Sequence, residues 1–75
     1  MTAERTAVVL VYSTSHALKA EKAVKGAGIA CKLIPVPRHL SSDCGICLRF
    51  PLSQQEAVER ALATGRVEYE QICAL

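Results

Sequence analysis

The stretch Thr6 to Tyr12, TAVVLVY, is seven residues of β-branched and aliphatic sequence without a charge, a glycine or a proline. Alternation of apolar and polar residues marks a strand with one wet face, and an unbroken run marks a strand covered on both. This run predicts the centre of a sheet, and a central strand obliges the rest of the chain to supply neighbours on each side. Its apolar core, Ala7 to Tyr12, is far shorter than the ~20 residues a membrane span needs, and Glu4 and Arg5 precede it. Neither a transmembrane helix nor a signal peptide is expected, and no membrane partner.

The chain has 75 residues, which sets an expectation of a single domain over 1–75. Ser13-Thr14-Ser15 offers hydroxyls for an N-cap, and Ala17, Ala20, Val24 and Ala27 follow at helical spacing, with Lys19, Lys22 and Lys25 on a wet face and Gly26 or Gly28 as the stop. Ala30 to Val36 reads as a second strand, which Pro35 and Pro37 confine to an edge because proline cannot donate to a ladder. From Gly45 to Phe50 the residues alternate, with Ile46, Leu48 and Phe50 towards the core and Cys47 and Arg49 away from it. Ser53 to Glu56 has the form of a capping box, with Leu52 placed to staple onto Ala57, and Ala57, Val58, Ala61 and Leu62 form the stripe of a second helix that Gly65 is expected to close in the left-handed conformation. Val67, Tyr69 and Gln71 alternate with Glu68 and Glu70, predicting a last strand at the other edge.

The order βαββαβ predicts an α+β, ferredoxin-like domain: a four-stranded antiparallel sheet with both helices on one face. In this reading the first and third strands run parallel in the centre. Cys44 is then expected beside Glu4 and Arg5, Cys73 at that same end, and Cys31 and the helix N-termini at the opposite one.

Nine Lys and Arg against seven Asp and Glu, mixed along the chain, argue against non-specific nucleic-acid binding, and two Tyr and one Phe are too few for a base-stacking platform. Four cysteines without an export signal read as reduced thiols of a cytoplasmic protein. Cys44 and Cys47 form a Cys-x-x-Cys pair, but no second Cys-x-x-Cys or His-x-x-His pair completes a metal site, so no metal and no cofactor are expected. A pair of thiols has other uses. One thiolate can attack sulfur or selenium, and a second can resolve the product as a disulfide. Arg38, His39 and Arg49 are the nearest cations in sequence, able to favour the thiolate, while Ser42 and Gly45 belong to the turn that would carry Cys44, the glycine allowing close approach of whatever the sulfur holds. Cys31 and Cys73 read as small packing residues, His16 as a surface or cap residue.

Three segments, "STSHALKAEK" at 13–22, "GIACKLIPVPRHLSS" at 28–42 and "DCGICLRFP" at 43–51, give the chain a close resemblance to a family of small bacterial selenium/sulfur carrier-like proteins. The resemblance covers nearly the whole chain. It implies that Cys44 is the atom carrier, with Ser42 and Gly45 shaping its loop and Arg38 and Arg49 near it; Cys47 is not required by the family pattern. The function expected is that of a shuttle holding sulfur or selenium on Cys44 as a persulfide or selenopersulfide, between a donor such as a cysteine desulfurase and an acceptor enzyme. A thiol-disulfide redox protein using Cys44 and Cys47 is an alternative, although a strand follows the first cysteine where a thioredoxin-like site has a helix. A soft-metal (copper) chaperone is a further one, but Ser13 to His16 stand where its thiols would be expected. The sheet face carrying Cys47 and Arg49 leaves a homodimer open without demanding one.

Overall fold

The computed structural model describes residues 5–40 and 45–75. Four strands form one sheet: β1 (Thr6–Leu10), β2 (Lys32–Pro35), β3 (Ile46–Pro51) and β4 (Gln71–Ala74), in the order β2-β3-β1-β4. Helix α1 (Thr14–Gly26) follows β1, and α2 (Gln55–Thr64) follows β3 through a 3-10 turn at Leu52–Gln54. This is the expected α+β, ferredoxin-like βαββαβ arrangement, with β1 and β3 central and β2 and β4 at the edges.

Strand direction departs from the expectation. Every neighbouring pair is antiparallel, β1 with β3 included, in the register Thr6 opposite Pro51 and Leu10 opposite Cys47. The reason is the crossover: α1 carries the chain back so that β2 runs parallel to β1 with a gap between them, and β3, returning from β2, fills the gap in the opposite sense. The start of β3 therefore meets the end of β1.

The helices cover one face. Val9, Leu48 and Phe50 point into a core shared with Ala17, Ala20 and Val24 of α1 and Val58 and Leu62 of α2. Ser13 caps α1, its side chain accepting the His16 backbone N-H at 3.3 Å. At the other end Gly28, at φ +80°, lets the Ile29 and Gly28 N-H groups bond back to Val24 and Lys25. The second helix ends differently from its sequence pattern. Gly65 has φ −80°, and the left-handed residue is Arg66, at φ 54°. Glycine is required at 65 for room: a Cβ there would lie 3.1 Å from the Ala23 Cβ of α1. The N-terminus also shifts, since Ser53 falls inside the 3-10 turn and Gln54 takes the cap position, with no side-chain cap hydrogen bond of its own. Leu52 and Ala57 both pack onto the core edge. The last strand begins at Gln71, with Val67 and Tyr69 packed on the core ahead of it.

The face without helices is apolar as well. Val8, Leu10 and Cys47 are fully buried there, packed against Ile34, Val36, Leu40 and Cys73. The chain after β2 folds back across this face, with Val36 and Leu40 lying on it. A homodimer through this face would have to pack on that covering.

Candidate functional site

The covering segment begins at Val36, whose N-H bonds the Gly45 carbonyl at 3.1 Å and ties the end of β2 to the start of β3. Pro37 to Leu40 then closes as a turn, the Leu40 N-H bonding the Pro37 carbonyl at 3.0 Å. Proline presets the backbone for such a turn. Arg38 and His39 occupy its two central positions and are exposed, while Leu40 turns back onto the Leu10–Cys47 cluster. Two expected site residues thus stand at the corner of this turn. Gly45 re-enters the described chain, exposed, at the head of β3.

Cys44 and Ser42, together with Ser41 and Asp43, lie outside the described residues. The placement of their surroundings follows from the register. Cys44 is bonded to Gly45, and Gly45 stands at the sheet end where β1 finishes at Leu10. Arg5 belongs to the other end: its carbonyl accepts the Leu52 N-H at 2.9 Å, beyond the last residue of β3. The antiparallel register thus removes Arg5 from the set of cations that could act near the head of β3.

The same register brings a group the sequence reading had sent away. Three residues separate the end of β1 from the start of α1, so its N-terminus shares the sheet end with Gly45, whereas α2 starts at the far end. A helix N-terminus carries the equivalent of about half a positive charge. It is dressed here by Ser13, whose Oγ lies 2.6 Å from His16 Nδ1, and by Tyr12, whose ring meets the imidazole edge-on at 5.9 Å. His16 is a cap residue, as its position in the sequence indicated. Its nearness to the head of β3 needed the correct strand direction.

Cys47 and Arg49 are not gathered with the turn. Cys47 is wholly buried, flanked by Leu10 on β1 and Ile34 on β2. Arg49 lies four residues along β3 from Gly45, roughly 13 Å at ~3.3 Å per residue. It pairs with Lys32 and Val8 and lines a small cavity of about 230 Å³ with Cys31 and Lys32. Cys31 is half-buried there, and desolvation raises its thiol pKa above the ordinary range, with Lys25 lowering it and Glu21 raising it further. Cys73 is opposite Val8, near the start of β1. That is the end Arg5 precedes, where it was expected; the correction falls on Cys31, which shares this end on the opposite edge of the sheet, and on the head of β3, which lies at the other.

These elements define a small α+β domain in which Val36 and Leu40, from the connection between β2 and β3, pack on the sheet face that the helices leave open. A family model described as "Putative Se/S carrier protein-like" matches residues 6–74, and the chain belongs to that family. No curated protein and no solved structure matches it. No helix among the described residues is long and apolar enough to cross a membrane.

Proposed function

We propose that this chain is a cytoplasmic carrier that holds one sulfur or selenium atom on Cys44 as a persulfide or selenopersulfide and passes it from a donor enzyme to an acceptor. Membership of the selenium/sulfur carrier-like family across residues 6–74 is the observation that carries this reading. The proposed exchange is a displacement. The Cys44 thiolate attacks the outer sulfur of a donor persulfide, such as that of a cysteine desulfurase; the donor's own S–S bond breaks, its cysteine leaves as a thiolate, and Cys44 keeps the outer sulfur. An acceptor nucleophile then takes that atom by the same step and returns Cys44 to the thiolate. Nothing is oxidised overall, so the chain acts as a shuttle and needs no cofactor.

Local chemistry supports a thiolate at this place. The exposed Arg38 and His39 follow β2, and the N-terminus of α1 follows β1, at the sheet end where β3 begins, and positive potential lowers a thiol pKa. Ser42 and Gly45 supply backbone N-H groups on either side of Cys44. Arg49, exposed and farther along β3, is not part of this set. Burial of Cys47 favours one-thiol carriage over a Cys44–Cys47 redox couple, because a resolving thiol has to reach the reacting sulfur.

The test is mass spectrometry after incubation with a cysteine desulfurase and cysteine. The expected result is an adduct of one sulfur atom on the peptide containing Cys44, lost in Cys44→Ser and retained in Cys47→Ser. Absence of the adduct would overturn carriage; a Cys44–Cys47 disulfide in its place would favour the redox alternative.

A further inference from the structure

On the outer side of the helical layer, opposite the sheet face on which Leu40 packs, α1 and α2 line a groove of about 760 Å³ that is open to solvent. Its floor is apolar and includes Ile29, Ala61 and Val67, each 8–9% exposed. The charged side chains on its described lining are all cationic: Lys19 and Lys22 on α1 and Arg60 on α2. That is a concentrated charge for a chain whose formal net charge is only +2. Of the carboxylates on the same helices, Glu21 pairs with Lys25 at 3.4 Å, Glu59 accepts from Gln55 at 3.0 Å, and the exposed Glu56, one turn before Arg60, is not on the lining. None of the three rim cations is in an ion pair among the described residues.

From this groove we infer a docking site for an acidic amphipathic helix of a partner protein. The occupant has to be apolar below, negative along its flanks and polar above, because the groove leaves one side in water. An acyl chain meets the first requirement and fails the last. An amphipathic helix meets all three. Size agrees: a helix about 10–12 Å in diameter, sunk to its axis for about three turns, fills a volume close to that of the groove. The small side chains of the walls, Ala23 and Gly65 among them, let the helix backbone approach closely. Cationic rims act mainly on recognition and association rate, and the apolar floor on the lifetime of the complex.

The inference does not use Cys44, so its test is run on the Cys44→Ser protein and is independent of sulfur transfer. Two synthetic helical peptides of about four turns are titrated while backbone amide NMR signals are followed. Both carry leucine on one face; one has glutamate on its flanks, the other lysine. The acidic peptide is expected to shift the amides of Ala23, Gly26, Ala61 and Gly65 saturably and to bind at least ~10-fold more tightly than the basic one. The triple variant Lys19→Glu, Lys22→Glu, Arg60→Glu, changed only at exposed positions, is expected to reverse that preference. Equal binding of both peptides, no binding, or shifts confined to the sheet face would overturn the assignment. Saturation of the groove by dodecanoate with no response to the acidic peptide would overturn it too, in favour of a small amphiphilic anion.

Discussion

Leu10 and Cys47 face one another across the β1–β3 ladder, both fully buried on the sheet face that no helix covers. What covers them is the chain between β2 and β3, through Val36 and Leu40. The segment that displays Arg38 and His39 to solvent is therefore the one that seals Cys47, and exposure at the turn is coupled to burial beneath it.

That coupling predicts the alkylation pattern. In the native protein Cys47 is expected to resist iodoacetamide, and Leu40→Ala, which uncovers the cluster, is expected to raise its labelling rate while lowering stability by about 1–3 kcal/mol. Peptide mapping with urea unfolding checks both. Labelling of Cys47 in the native protein as fast as in urea would contradict the buried placement.

The turn after α2 separates two roles that one glycine was expected to fill. Gly65→Ala sets a methyl 3.1 Å from the Ala23 Cβ on a helix that can yield only by moving, and is expected to cost about 1–2 kcal/mol. Arg66→Gly releases a residue at φ 54° and is expected to raise stability by up to about 1 kcal/mol. Thermal unfolding of the two variants should move in opposite directions. Two shifts of the same sign would place the left-handed residue wrongly.

Ser13→Ala removes the side-chain acceptor of the His16 N-H and the partner of its Nδ1. A loss of about 1 kcal/mol is expected, as for other N-caps. Ser13→Asp, which keeps an acceptor, should recover most of it. Failure of the aspartate to recover stability would mean that the serine acts through something besides the cap.

Cys31 tests the electrostatics of the far end. Its pKa is raised chiefly by burial, so at a given pH less of it is thiolate than for an ordinary cysteine, and its alkylation profile should be displaced to higher pH. Lys25 opposes the shift, so Lys25→Ala should displace the profile further. The linked stability has the matching sign: it is present at neutral pH and falls as the solution rises through the thiol range, because the unfolded chain loses this proton first. A profile that moves to lower pH in Lys25→Ala would contradict the placement of that ammonium beside the thiol.

Much of this was readable from residue order. The unbroken run at Thr6 to Tyr12 located the central strand, the prolines at 35 and 37 located an edge, and the Ile46, Leu48, Phe50 alternation assigned the face under the helices. These are local signals, since periodicity and proline chemistry act within a few residues. The site was less readable. Arg38, His39 and Gly45 were named for their nearness in sequence to Cys44, and their role is a proposal; the sheet ends of Arg5 and of the α1 N-terminus relative to the head of β3 were exchanged, both through one error in strand direction.

The sequence alone determined which segments become strands and helices, which residues of each face the helical core, and the family to which the chain belongs, because those properties reside in short-range pattern and composition. Only the tertiary structure decided the sense in which β3 runs against β1, the sealing of Cys47 under a returning connection, and the assignment of the left-handed turn to Arg66 instead of Gly65. Each of these depends on what a distant part of the chain places alongside: a gap left by a crossover, a leucine folded back from a turn, a methyl on the neighbouring helix.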